Sequence, residues 1–230
     1  MRLSLVNKRR ELPLFPLNTV LFPGMVLPLH IFEERYKLMV ERCIQETQPF
    51  GVVCIKAGEE VGGSDVAIHT VGTTAQINQL ERLPEGRLNI ATIGRQRFRI
   101  QAVRSDHPYL TAVIEDFPLQ DVPEVLVKAP AMLLTERLRT YLEIFASIGK
   151  VELPNETISA LPDDPEMLSF LVAIVLQMPN RDKQILLETP DLLSLIRRES
   201  RMLHRESQIL RLLIEYGLRE RDNISPFSVN

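Results

Sequence analysis

The chain has 230 residues, 45% hydrophobic and 25% charged, the make-up of an ordinary globular protein long enough to bury a full core. Its formal net charge of −3 gives no overall footprint for nucleic acid or an anionic membrane, and leaves only local basic patches to consider. No apolar run reaches the ~20 residues that span a bilayer. Arg2, Lys8, Arg9 and Arg10 surround an apolar run too short for a signal peptide, so a cytoplasmic protein is expected.

Residues 12–36 read LPLFPLNTVLFPGMVLPLHIFEERY, with Pro13, Pro16, Pro23 and Pro28 punctuating short apolar pieces. Proline fixes φ and removes a backbone donor, so these pieces are expected as bent, extended segments and not as an uninterrupted central strand. Pro23-Gly24 supplies a turn. A helix follows over residues 33–46, opened by Glu33 and Glu34 and carrying Tyr36, Leu38, Met39, Val40, Cys43 and Ile44 as an apolar face. Residues 50–56 suit a strand, and the glycine-rich, acidic residues 57–65 suit a loop. Cys43 on the helix and Cys54 on the strand read as buried small apolar residues.

From residue 66 to 117 the pattern is β. Strands are predicted over 71–83 and 87–94, joined by a turn at Pro84-Glu85-Gly86, and over 95–103 and 109–115. Short strands with a single helix argue for a strongly bent sheet or partly closed barrel, and against alternating βαβ units. Residues 118–124, with Pro118 and Pro123, read as a linker.

Helical periodicity dominates thereafter. A helix is expected over 131–148, with Pro130 either starting it or lying inside a longer one. Asp164-Pro165-Glu166 opens a largely apolar helix to about 177. Asn180 is placed as the cap of a short helix to 188, and Thr189-Pro190 starts the longest helix, to about 219. In that helix Leu195-Ile196, Met202-Leu203 and Ile209-Leu210 recur every seven residues as one seam. Glu199 and Glu206 fall inside the seam and need a cation, a donor or water; Arg137 is the expected partner, with solvent at the bundle edge the alternative.

Several of these pieces, in order, resemble the Lon N-terminal domain family, the substrate-binding domain of ATP-dependent Lon proteases. The opening run contributes LPLFPL, VLFPGMVLPLHIFE and Arg35-Tyr36. Later matches are FGVV (50–53), VGTTAQI (71–77), GRLNI (86–90), RFRI (97–100), LSFLVA (168–173) and KQILLE (183–188). The resemblance implies an α+β protein: a PUA-like β-domain at 1–117, the linker at 118–124, an α-helical bundle at 125–220 and a tail at 221–230. It also implies that unfolded or tagged proteins are what the domain engages.

The chemistry of destruction is not expected in this sequence. No GxxxxGK[ST] phosphate loop occurs; the nearest run, GEEVGGS at 58–64, lacks the lysine, and its glutamates would repel phosphate. His30, His69, His107 and His204 lack metal-binding spacing, and Ser147, Ser159, Ser169 and Ser194 lack a nucleophile elbow. No catalytic residue, cofactor or metal is therefore expected. Two binding features remain. Leu17, Phe22 and Met25, beside Glu34, Arg35 and Tyr36, would make an apolar patch with a polar rim for unfolded or extended polypeptide. Arg95, Arg97 and Arg99 on one strand face would instead suit RNA phosphates. The first reading gives a non-catalytic adaptor to a protease, or a weak holdase; pairing of the last helix with a second copy is left open.

Overall fold

The computed structural model describes residues 10–57, 67–149 and 161–222. The loop expected at 57–65 lies outside them from residue 58 on, with its GEEVGGS run; so do Ser159 and residues 223–230 of the tail. The chain divides into two compact units, one holding the chain up to Gln120 together with Ala173–Pro190, the other Asp121–Val172 together with the chain from Asp191.

The first unit is built on seven strands: β1 (Arg10–Leu17), β2 (Val26–Ile31), β3 (Phe50–Ala57), β4 (Ala67–Ile68), β5 (Val71–Arg82), β6 (Leu88–Arg104) and β7 (Thr111–Asp116). They pair in the order β1-β7-β6-β5-β3-β4, and β1 also pairs with β3, so the bent sheet comes back on itself as a pseudo-barrel. Against expectation, β1 carries Pro13 and Pro16 and still has a partner on both sides. The stagger explains it. Residues 10–13 pair with β7 and residues 14–17 with β3, so each half of β1 is an edge and each proline faces one partner only.

The two strands expected over 87–94 and 95–103 are one strand of 17 residues, β6. Its first half pairs with β2 on one side and β5 on the other, and its second half with β7. The expected Pro23-Gly24 turn forms, with Gly24 at φ +81° and Met25 N donating to Phe22 O at 3.1 Å. Gly94 clasps this turn: it accepts from Gly24 N at 2.8 Å and donates to Met25 O at 2.9 Å. A Cβ at Gly94 would stand 2.1 Å from Phe22 O, which leaves room for glycine alone.

Helix α1 (Glu34–Gln45) buries Tyr36, Met39, Val40 and Cys43 against Phe15, Ile31, Phe50, Leu88 and Ile90. Burial pushes the Cys43 thiol up to about 12, helped by the Glu46 charge, and it also raises that of Cys54; both are free thiols buried in the core.

Helix α4 (Asn180–Leu187) belongs to this unit, whereas the sequence reading put it in the bundle. Arg97 Nη1 donates to Leu187 O and Thr189 O at 2.7 Å each, satisfying carbonyls at the helix end. Gln184 Nε2 donates to Val71 O at 3.0 Å, and His69 Nδ1 lies 3.2 Å from Glu188 Oε1. Asn180 is the first helical residue and not the cap; its side chain donates to Asn18 O at 2.6 Å.

The second unit contains α2 (Glu124–Gly149), most of α3 (Pro165–Val175) and α5 (Leu192–Asp222). Pro130 lies inside α2, which starts at Glu124 and not beside the proline. Asp164 caps α3 as expected, accepting from Met167 N at 2.8 Å. Asp191 caps α5 in place of the expected Thr189-Pro190 start; the Ser194 N–H it accepts holds its carboxyl below the usual range. Along α5, Leu195, Ile196 and Leu203 are buried. The seam then surfaces, with Ile209, Leu212, Leu213 and Tyr216 exposed.

Glu199 sits fully buried in that seam, and Arg137 does not reach it: Arg137 Nη1 donates to Ser200 O at 2.6 Å instead. Glu206 pairs with its neighbour Arg205 at 3.0 Å. Among the described residues neither oxygen of Glu199 closes a hydrogen bond, and burial pushes its carboxyl well above the usual range, with the facing Ser169 hydroxyl offsetting only part.

Two outcomes are expected. Gly94→Ala should lower stability by roughly 2–4 kcal/mol, read by denaturant melting, because the colliding atom is backbone. Because the folded-state pKa of Glu199 is raised, its protonated contribution is complete below the ordinary glutamate value and is lost as pH rises from there toward the folded value. Glu199→Gln should abolish that decline and be more stable at neutral pH by roughly 1–3 kcal/mol, a gap that closes at acidic pH in a series of melts.

Candidate functional site

Strand β2 sets the candidate surface. Its residues alternate: Leu27, Leu29 and Ile31 face the core, while Val26, Pro28 and His30 face outward. Phe32 follows at the corner before α1. Val26 is 60% exposed and Phe32 49%, far above what core residues show. Beside Phe32 lies a cavity of about 180 Å³, walled by Phe15, Leu17, Leu29, Phe32 and Tyr36 with Glu33 at its rim.

The residues expected from sequence divide. Phe22 is 1% exposed and belongs to the core, so it offers nothing to a partner; the turn it opens turns its ring inward. Met25 is half-buried against the same core. Leu17 and Tyr36 are buried, but their side chains wall the cavity, with the Phe15 and Tyr36 ring centroids 4.1 Å apart. Arg35 stacks 4.6 Å over Tyr36 and pairs with Glu33 at 2.8 Å; Glu34 is exposed and pairs with Lys37 at 2.8 Å. Val26, Pro28, His30 and Phe32 were missed. The alternation in VLPLHI was the signal that would have found them.

On the outer face of β2, β6 and β5, His30, Asn89 and Glu81 stand in one cross-strand row. His30 Nδ1 lies 2.8 Å from Asn89 Oδ1, and Asn89 Nδ2 donates to Glu81 Oε2 at 2.9 Å. This row edges a shallow trough of about 590 Å³ whose floor includes Pro28, Leu80 and Ala91.

The arginine row does not survive folding as a unit. Arg97 is 3% exposed and committed to the end of α4, with its guanidinium 4.7 Å over Phe117. Only Arg95 and Arg99 are exposed, and Arg99 also lies over Phe117, at 4.1 Å. The ladder is irregular between Gly94 and Arg97, and Arg97 itself is covered. Metal-ligating atoms meet at Glu11, Asp106 and His107, all exposed and within 4.8 Å of one another. Arg104 pairs with Glu11 at 3.3 Å and Arg42 Nη1 stands 3.5 Å from His107 Nε2, so guanidinium charge already occupies the place of a cation.

The pattern defining the ATP-dependent protease La (LON) substrate-binding domain matches residues 11–205. The chain belongs to this family. It is 31% identical over 213 residues to a Lon protease of Anaeromyxobacter dehalogenans, covering 90% of this chain and 25% of that protein. With the Lon protease of Escherichia coli K12 it is 29% identical over 220 residues, 94% of this chain and 27% of that protein. It thus spans about a quarter of the length of these curated relatives. Its fold is that of the Lon N-terminal domain protein from Xanthomonas campestris (TM-score 0.61, 24% identity, 82% of this chain and 96% of that one). The N-terminal domain of Mycobacterium avium complex Lon protease is similar too (TM-score 0.65, 19% identity, 85% and 98%). No helix among the described residues is long and apolar enough to cross a membrane.

The contrast between the two front-end aromatics is testable. Phe22→Ser should cost roughly 3–5 kcal/mol in a denaturant melt, whereas Phe32→Ser should stay within about 0.5 kcal/mol of the parent.

Proposed function

We propose that this chain binds unfolded or extended polypeptide on the surface of β2 and the start of α1, without cleaving it. It would act as an adaptor that delivers clients to a protease, or as a weak holdase. The observation that carries the reading is the exposed Phe32 at the wall of the cavity by Tyr36, with exposed Val26 on the same strand edge, in a chain of the Lon substrate-binding family. Large apolar side chains held in water beside a largely apolar recess lower the free energy of any chain that brings a complementary side chain to them. The charges around the recess are satisfied within the protein, Arg35 by Glu33 and Lys37 by Glu34, so they form a rim and not the source of affinity.

Binding sites for the family's other chemistry are not needed for this role, and adaptor and holdase share the same surface. Which of the two operates depends on whether a protease engages the complex.

The test uses a carboxymethylated, permanently unfolded client carrying a fluorescent label. Val26→Ser combined with Phe32→Ser should weaken its binding about 30- to 700-fold, at about 1–2 kcal/mol for each truncated side chain, with the melting curve unchanged. Retention of the client at full affinity by that double variant would refute the assignment of the surface. Salt-sensitive retention of RNA by the parent, lost on changing Arg95 and Arg99 to glutamate, would move the function to nucleic acid.

A further inference from the structure

The second unit carries a surface of its own, between α2 and α5. Along α2, Leu126, Pro130, Leu133 and Arg137 recur at helical spacing and form one stripe. Leu126 is 52% exposed and Leu133 49%, so the stripe presents apolar side chains to water until it reaches Arg137. Helix α5 packs beside it, where Arg137 Nη1 donates to Ser200 O at 2.6 Å. Between the two helices runs an open groove of about 420 Å³. Pro130, Leu133 and Ile196 give it an apolar lining, and Arg137, Arg197 and Arg201 line it too.

These three cations lack counter-charges. Among the described residues none of them closes an ion pair, whereas Arg139 and Arg205 on the same helices pair with Glu136 and Glu206. Arg197 acts on the Asp191 carboxyl only through space, and Arg137 gives one N–H to Ser200 O. Ser200, 6% exposed, also lines the groove, and among the described residues its hydroxyl has no partner. Glu199, its neighbour, is fully buried with its carboxyl pushed well above the usual range, so it brings the groove little negative charge. Unneutralised guanidiniums beside an unpartnered hydroxyl call for acceptor oxygens that carry negative charge.

We propose that this groove is the docking site of an acidic amphipathic helix from a partner protein, whose apolar side chains cover Leu126 and Leu133 and whose carboxylates pair with Arg137, Arg197 and Arg201. The proposal goes beyond the β2 reading and does not depend on it. Charge complementarity sets the sign of the partner, and the spacings set its form. Leu126 and Leu133 stand seven residues or ~10 Å apart along α2, and Arg197 and Arg201 one turn or ~6 Å apart along α5. A helix laid in the groove repeats both intervals, with apolar residues seven apart and acids four apart on one flank. In a strand ~10 Å is three residues, which would turn the two apolar side chains to opposite faces. RNA is disfavoured because no aromatic ring among the described residues of the lining offers bases a stacking platform. A small anion would leave the apolar stripe uncovered.

The test measures fluorescence anisotropy of labelled helical peptides on the intact chain. A peptide with leucines seven apart and glutamates four apart on one flank should bind, and its affinity should fall as salt rises. A copy with lysine for every glutamate, and another with serine for every leucine, should each bind at least 10-fold more weakly. Arg197→Glu combined with Arg201→Glu should weaken the glutamate peptide at least 10-fold and strengthen the lysine copy. Both arginines are exposed, so the melting curve of that variant should match the parent's, and Arg137 is left in place to hold Ser200 O. Val26→Ser with Phe32→Ser should leave the peptide's affinity unchanged, which separates this groove from the β2 surface. Equal binding of the glutamate and lysine copies, or of none of the peptides, would overturn the proposal. So would retention of an RNA oligonucleotide or of phosphatidylglycerol vesicles in place of the peptide, or a dimer of the chain that the double variant dissociates while the peptide stays unbound. The peptide copies are compared on the unaltered protein, so a double variant that does not fold leaves the test intact.

Discussion

The close approach of the Pro23-Gly24 turn to Gly94 is the constraint on which the first unit depends. Two hydrogen bonds, Gly24 N to Gly94 O and Gly94 N to Met25 O, bring the turn against β6 so tightly that no Cβ fits between them. This contact sets the phase of β2 on β6, and register in a strand decides everything that its side chains do. A slip of one residue would turn Leu27, Leu29 and Ile31 outward and bury Pro28 and His30. The same contact delivers Phe22 to the core at one end of the turn and Val26 to solvent at the other.

From that anchor the sheet solves a problem created by its own prolines. A strand with Pro13 and Pro16 cannot serve as a fully paired centre, and β1 avoids the conflict by exchanging partners midway, β7 for residues 10–13 and β3 for residues 14–17. The 17-residue β6 makes the complementary exchange, leaving β2 for β7 as it bends. Among the described residues the strand exchange lets the sheet come back on itself through β1 and β3, while β2 pairs with β6 alone. An open edge normally invites aggregation, and Pro28 in its middle, with only six residues to the strand, keeps this one short and donor-poor.

Much of this was legible in the sequence because it is local. The turn at Pro23-Gly24, the cap at Asp164, the apolar face of α1 and the β pattern up to residue 116 all follow from residue types at fixed offsets. What could not be read was non-local. Alternation put Arg97 on the same strand face as Arg95 and Arg99, but only the fold brings the end of α4 onto it, turning a surface cation into a buried clamp for two carbonyls. Phe22 and Phe32 look alike as aromatic residues in an apolar run; register buries one and exposes the other. Glu199 lies in an apolar seam, so the demand for a partner was visible, yet the nearby Arg137 is satisfied by Ser200 O. Sequence gives the need of a group; the backbone geometry decides whether it is met.

These features bear on the proposal that the surface of β2 holds unfolded chains. A recess that recognises one folded partner needs matched shape over a large area, whereas an unfolded client offers only main chain and scattered side chains. A sheet edge answers the first, because its hydrogen bonds are the same for every sequence; a single cavity answers the second, because it asks for one apolar residue and nothing more. The ionic groups beside the cavity are paired within the protein, Arg35 with Glu33 and Lys37 with Glu34, so they would not select a client by charge. Under the proposed role, the main chain of β2 and one pocket would accept many clients and favour exposed core segments over ordinary loops.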